Sequence, residues 1–278
     1  MKEMNKKVIG FIMTGLMAVG VGMAAQQPVQ AKSTIKSVWQ DNEPQLKYYT
    51  ASKKNAYIWN TNFTRRIHNL KNYPNTTWYV NQQVIYNHKV YYRLSNFSGT
   101  AQGYTWRGNV APYLLKPMTS FKSNEDYLKY LNTDKSQKVA RAILKLMPNA
   151  EVDYKLSYAA AKTQYEKLSK IKGYTSVIPL SNLEMKFKGA GYTYTNSIRQ
   201  QIQTNAPTAL AKAGRVKNIL DHNGYNAEKL NSLFKQGYKL GIYISDVNAY
   251  SAGKYGYPTT VDLSHKDGTD MDTLVLAK

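Results

Sequence analysis

The chain has no cysteine, which excludes disulfides, thiolate metal sites and a cysteine nucleophile. It also lacks acid over a long stretch: between Pro44 and Asn124 there is not one Asp or Glu, although that stretch holds eleven Lys and Arg residues and sixteen aromatic ones. Cations with no carboxylate to pair with repel one another. That lowers the stability of a compact state and raises the rate of encounter with anionic partners. The bias is local, because Glu125 to Lys278 carries twenty-two basic and fourteen acidic residues in a chain of net charge +21. Composition therefore marks a boundary near residue 120. Histidine is scarce, at four residues, and no hydrophobic run beyond the N-terminal one is long enough to cross a bilayer.

What is present begins with a positive start (Lys2, Lys6, Lys7), an uncharged and mostly apolar run from Val8 to Ala25, and small residues at Val29 and Ala31. This is the pattern of a secretory signal peptide over residues 1–31, cleaved after Ala31. The rival reading is a retained N-terminal anchor, since the run almost reaches the length of a span. Export of a cysteine-free chain rich in Lys, Asn and Tyr points to a Gram-positive bacterium, and to a secreted, extracellular, cell-wall-associated protein with no membrane span after processing. Adhesion would then have to hold it at the surface.

From Lys47 onward, short segments rich in Tyr, Val, Ile, Thr and Trp alternate with Asn, Pro, Ser and Gly. Strands are expected at Ala56 to Trp59, Thr77 to Val80, Val90 to Leu94 and Gly103 to Arg107, with turns at Asn72 to Asn75, Asn87 to His88 and Asn96 to Gly99. That density of strands implies a small β-barrel or sandwich. The segments KYYTASKKNAYIWN, TTWYV, KVYYRLSN and GYTWRGNV resemble the GW-type, SH3-like wall-binding modules of lactobacilli and related bacteria, over residues 46–117. Gly-Tyr-Thr-Trp stands here where that family has Gly-Trp. The resemblance implies attachment to anionic cell-wall polymers, teichoic acid or peptidoglycan, through Arg65, Arg66, Trp78, Tyr79, Tyr91, Tyr92, Tyr104, Trp106 and Arg107. Lys and Arg bind a phosphate-rich polymer by releasing its counterions, and aromatic faces add stacking and cation–π contacts. Strand alternation sends about half of the aromatics into the core. Nucleic acid is the competing polyanion for a basic surface with interleaved aromatics, and export argues against it as a physiological partner.

After Pro117 the pattern becomes helical. Val139, Ile143, Leu144 and Met147 share one helix face, Leu156 to Leu168 mark a second helix beginning near Asp153, and further helices are expected over Asn196 to Ile202, Pro207 to Leu220 and Asn226 to Phe234. Strands are expected at Thr175 to Leu180, Leu240 to Val247 and Thr273 to Ala277. ARAILKLMPNAEVDYKLSYAAAKTQYEKLSK, LFKQGYKLGIYISDV and DTLVLAK resemble, distantly, the CAP superfamily, an α-β-α sandwich. Members with a metal-capable pocket present two His and two acidic residues. Here YTSVIPL has no His, Thr195 stands in place of Glu, and His222 is left as the remnant of the second His. The resemblance therefore implies a degenerate pocket at Glu184, Thr195 and His222 with no metal and no cofactor, since one imidazole does not hold zinc.

The fold class expected is α+β: signal peptide 1–31, linker 32–45, SH3-like β-barrel 46–117, linker 118–124, and CAP-like α-β-α sandwich 125–278. Other chemistry is thin. Ser-x-x-Lys occurs at Ser33, Ser169, Ser232 and Ser251 without the Lys-Thr-Gly partner that serine acylation needs. The acidic loop around His265, with Asp262, Asp267, Asp270 and Asp272, lacks calcium-loop spacing. Two functions remain open: a binding protein with no catalytic residues, whose second half meets a host or envelope ligand, and a cell-wall hydrolase or carboxypeptidase with an unrecognised active site.

Overall fold

Eight short antiparallel strands fold first into one curled sheet: β1 Lys36–Gln40, β2 Leu46–Thr50, β3 Tyr57–Trp59, β4 Arg66–Asn69, β5 Trp78–Tyr86, β6 Lys89–Ser95, β7 Gln102–Trp106 and β8 Val110–Pro112. Their order is β4-β3-β7-β6-β5-β2-β8, and β1 pairs with the second half of β5. The computed structural model describes residues 34–40, 46–52, 54–163, 167–189, 191–204, 206–244, 250–252, 258–260 and 272–278. The expected signal peptide, residues 1–31, and the acidic loop around His265 lie outside the described residues.

The sheet curls because β5 is shared. Its start pairs with β2 (Tyr48 opposite Trp78) and its end with β1 (Ser37 opposite Val84), with a register shift between Val80 and Gln82. A bulge of this kind adds local twist and bends the strand. The β5–β6 hairpin closes through Asn87 and His88, both with positive φ (48° and 59°), between the paired Tyr86 and Lys89. That is the primed two-residue turn whose twist matches antiparallel strands. Inside the curl, Tyr48, Ile58, Leu70, Trp78, Val80, Tyr92 and Leu94 form the core. The first expected linker is not a tether, since β1 lies within 32–45 and extends the sheet.

The second expected linker is also corrected. Met118 and Phe121 are buried, together with Leu115, in the core of the helical half, and Tyr154 Oη donates to Met118 O (2.8 Å) and Phe121 O (3.0 Å). Burying side chains of this size stabilises by about 1.5–3 kcal/mol each, so residues 118–124 join the two halves rigidly. Ile35–Lys278 accordingly forms one compact unit.

Among the described residues six α-helices follow: α1 Asn124–Thr133, α2 Lys138–Leu144, α3 Tyr154–Lys162, α4 Ile198–Gln203, α5 Ala209–His222 and α6 Ala227–Lys235. Side chains that accept from first-turn amides start five of them, namely Ser123, Asp153, Ser197, Thr208 and Asn226, and Ser197 completes a capping box with Gln200. Interleaved strands are β9 Val177–Ile178, β10 Glu184–Gly189, β11 Tyr192–Ser197, β12 Lys239–Tyr243, β13 Tyr250–Ala252, β14 Pro258–Thr260 and β15 Thr273–Ala277. A three-stranded sheet, β12-β15-β9, is covered on both faces. On β15, Leu274 and Leu276 pack into the large helical core, while Val275 and Ala277 pack on the other face against Leu156 and Ala160 of α3. All five residues of β15 are buried, as expected of a central strand with helices on both sides. Gly241 permits the close approach of α3, because an added Cβ would meet Leu156 Cγ and Val275 Cγ2 at 2.8 Å each. The molecule is a mixed α+β protein with a curled antiparallel half-barrel.

Tyrosines rather than carboxylates set its alkaline limit. Tyr127 Oη donates to Ile242 O, and Tyr130 Oη accepts from Gln137 Nε2 (2.8 Å) and Lys116 N (3.2 Å). Burial pushes Tyr127 well above the usual phenol value, and Tyr130 up to about 12 despite hydrogen bonds that act the other way. In the unfolded chain both titrate near pH 10. Below that pH their contribution is fully present, and it is lost as pH rises through the folded values. Each tyrosine then costs about 1.4 kcal/mol per pH unit. Urea midpoints measured from pH 9 to 12 should fall steeply above pH 10, and less steeply in Tyr130→Phe.

Candidate functional site

Alternation along the sheet strands decides which basic and aromatic residues share a face. On β6, Val90, Tyr92 and Leu94 point into the curl, which places Tyr91 and Arg93 on the outer face. Register brings Trp106 opposite Tyr91, and Tyr104 opposite both Arg93 and Trp59. On β5, Val84 is opposite Tyr91 and Gln82 opposite Arg93. The outer face thus carries an aromatic cluster in which Phe63, Val84 and Tyr104 are buried and Trp59, Tyr86 and Tyr91 are half-buried.

Phe63 closes this cluster from a tight loop. Its ring stacks on Tyr86 (4.2 Å, 9°) and Tyr104 (5.0 Å, 26°) and meets Tyr91 edge-on at 4.8 Å. To do so its backbone takes φ 57°, a left-handed conformation that costs a non-glycine residue about 1–2 kcal/mol. The Asn60 side chain accepts from Thr64 N (2.9 Å) and Arg65 N (3.1 Å), which holds the loop in that shape. Below the ring, Tyr104 Oη donates to Gln82 Oε1 at 2.7 Å. Burial raises the Tyr104 phenol and Arg93 partly offsets the rise; burial, with Tyr86 alongside, also raises Tyr91. Both stay neutral hydroxyls at ordinary pH.

Cations ring the aromatics. The Arg66 guanidinium lies over Tyr57 (4.6 Å) and Trp59 (5.2 Å), geometry worth about 0.5–1 kcal/mol at an exposed site. Arg65, Arg66 and Arg107 are exposed, and among the described residues no carboxylate pairs with these three or with Arg93. Trp106 is 46% exposed and its indole lies against Gly108, where an added Cβ would fall 2.1 Å from the ring. Glycine there lets the indole lie flat with its other face open. This arrangement can hold anionic groups at its arginines and stack rings or apolar faces on Trp106 and its neighbours.

The expected binding residues therefore divide. Arg65, Arg66, Tyr91, Trp106 and Arg107 reach the outer surface, and Tyr104 supports it from beneath. Trp78 is fully buried and donates through Nε1 to Thr50 Oγ1 (3.0 Å), and Tyr92 packs on Tyr48 at 5.3 Å. Both belong to the inner core and cannot touch a polymer. Tyr79 is buried and 6.4 Å from the ring of Phe97. Sequence reasoning missed Arg93, Trp59, Phe63 and Tyr86. The two-residue spacing of Tyr91 and Arg93 was the available signal.

The expected degenerate pocket is not a cleft. Glu184 and Thr195 lie on the β10–β11 hairpin, His222 ends α5, and all three are exposed. The hairpin and the end of α5 are joined beside them by the Asn223 side chain, whose Nδ2 donates to Glu184 O at 2.9 Å. Among the described residues no group of three His, Cys, Asp or Glu side chains is placed to hold a metal ion. Ser232 and Lys235 of the Ser-x-x-Lys pair on α6 are both exposed, and Ser232 Oγ accepts from Gln236 Nε2 at 3.1 Å.

Compared with protein-family models, with curated proteins and with solved structures, the chain matches none of them.

Proposed function

We propose that the chain is an exported, cell-wall-associated protein whose basic sheet, read as an SH3-like, GW-type module, binds anionic envelope polymers, and whose second half, read as CAP-like, is presented without catalysis. The observation that carries the reading is the outer face itself: Arg66, Arg93 and Arg107 beside Trp59, Tyr91 and Trp106, in a stretch between Pro44 and Asn124 with no Asp or Glu. Teichoic acid, with a phosphate on each repeat, fits the arginines best; peptidoglycan fits the aromatic faces. Export separates the surface from nucleic acid.

Trp106 gives the cleanest test because it is exposed and its loss leaves the core intact. Trp106→Ala should change unfolding free energy by no more than about 0.5 kcal/mol. Binding to isolated walls should weaken by about tenfold, the scale of one lost stacking contact. Unchanged wall binding would remove the platform from the account. Labelled peptidoglycan tests the non-catalytic half: released fragments, lost on replacing a single Ser, Asp or Glu, would contradict it.

A further inference from the structure

A second acid-free stretch runs from Met185 to Leu220, with six Lys and Arg residues and no Asp or Glu. It opens on the β10–β11 hairpin, a two-stranded sheet that no further strand joins among the described residues. Directly opposed residues of an antiparallel pair share a face, so the register sorts the hairpin into two sides. Phe187 opposite Tyr194 and Gly189 opposite Tyr192 make one side aromatic, while Lys186 opposite Thr195 and Lys188 opposite Thr193 make the other cationic and hydroxylated. Phe187 stacks on Tyr194 (5.7 Å, 16°), and the Tyr192 ring lies 5.8 Å from that of Tyr194. Near the base, Met185 and Phe187 pack against the helical core. Beyond it the aromatic side continues into solvent, with Tyr192 62% and Tyr194 39% exposed. Lys186, Lys188, Thr193 and Thr195 are exposed as well.

We propose that this hairpin docks tip-first on a lipid bilayer surface with anionic headgroups. Register decides against a second polymer site. On the outer face of the large sheet Tyr91 and Arg93 point the same way, so one polymer chain can touch both. Here rings and ammonium groups point to opposite sides of a ribbon two strands wide, and a polymer lying along one side meets only one kind of group. A planar interface entered from the tip meets both. Tyrosine sets an apolar ring at headgroup level with its hydroxyl in water, and a lysine stem lies along the interface and carries its ammonium to the headgroup phosphates. The hairpin belongs to the helical half, so bilayer docking does not depend on polymer binding at the outer face.

Co-sedimentation of the chain from Lys32 onward with vesicles of phosphatidylcholine and phosphatidylglycerol in equal parts, at about 0.15 M salt, reads this directly. Vesicles of phosphatidylcholine alone should bind far less. Lys186→Gln with Lys188→Gln should weaken binding by about thirtyfold, the product of two lysines near an anionic surface. Tyr192→Ser with Tyr194→Ser should weaken it by about tenfold, and Tyr192→Ser alone, which leaves the Phe187–Tyr194 stack in place, by about threefold. Both tyrosine losses should persist when Arg65→Gln, Arg66→Gln, Arg93→Gln and Arg107→Gln remove the attraction of the outer face for the same vesicles. Binding of the tyrosine variants to purified wall teichoic acid should stay within about twofold, as expected of separate sites. Undiminished vesicle binding in both tyrosine variants would overturn the proposal. A loss of teichoic acid binding as large as the loss of vesicle binding would overturn it too, by assigning the hairpin to a polymer.

Discussion

Gly103→Ala should unfold the sheet or cost it more than a methyl group added at any other described glycine. Gly103 has φ 144°, and a Cβ there would sit 2.3 Å from Trp59 O and 2.8 Å from Ile58 Cγ2. The obstacle is backbone, so no side chain can swing aside, and β3 would have to leave β7. Their pairing is short, with Trp59 opposite Tyr104, and it carries both the Ile58 end of the inner core and the Trp59 end of the outer platform. A loss of about 3 kcal/mol or more is expected, in the range of severe backbone and packing lesions. Gly99→Ala is the control. Its φ is 72° and nothing lies within 4 Å of the added atom, so only the left-handed backbone cost of about 1–2 kcal/mol applies. Chemical denaturation of the two variants side by side should separate them clearly. Equal stability would mean that β3 does not cross β7 this closely.

The contrast also shows what was legible beforehand. The expected strands Ala56 to Trp59, Thr77 to Val80, Val90 to Leu94 and Gly103 to Arg107 overlap β3, β5, β6 and β7, though β5 runs on to Tyr86; they stood out because β-branched and aromatic residues cluster between turn formers, and the turn at Asn87–His88 announced itself by composition. α3 and α5 were readable from apolar spacing, with Asp153 near the start of the first and Pro207 opening the second. β4 was not, because Arg66–Asn69 alternates no hydrophobic pattern and owes its place to pairing with Tyr57–Trp59. The packed joint at 118–124 was missed for a similar reason. Its Thr, Ser, Lys and Asn residues read as a tether, and only the distant Tyr154 hydroxyl and the helical core explain why Met118 and Phe121 are buried. The β10–β11 hairpin carries a strand signature in YTYTN, whose Tyr and Thr favour extended backbone.

The platform was half legible. Composition located the acid-free region, but deciding that Trp78 and Tyr92 face inward while Tyr91, Arg93 and Trp106 face outward required the register of β6 against β5 and β7. Once that register is known, the motif Gly-Tyr-Thr-Trp-Arg-Gly has a reason at each end: Gly103 clears the β3 backbone, and Gly108 clears the Trp106 indole. Arg107 sits between them on the exposed side.

Replacing Arg65, Arg66, Arg93 and Arg107 together with Gln is expected to have the largest effect on binding. These side chains are outside both cores, so stability should change by no more than about 1 kcal/mol, the lost stacking of Arg66 on Tyr57 and Trp59 being offset in part as self-repulsion falls. Each arginine that meets a phosphate contributes one released counterion, so the slope of log K against log salt should become shallower by about one per arginine lost. The summed loss in affinity at low salt is expected to exceed about a hundredfold, and glutamine, which keeps polarity but not charge, isolates the electrostatic part.

The most direct measurement is binding of the chain from Lys32 onward to purified wall teichoic acid across a salt series from about 50 mM to 1 M, over which the Debye length falls to about 3 Å. A steep loss of affinity with salt, flattened in the four-arginine variant, is the result expected of an electrostatic platform. Binding that persists undiminished at about 1 M salt, or a slope identical in the variant, would contradict it.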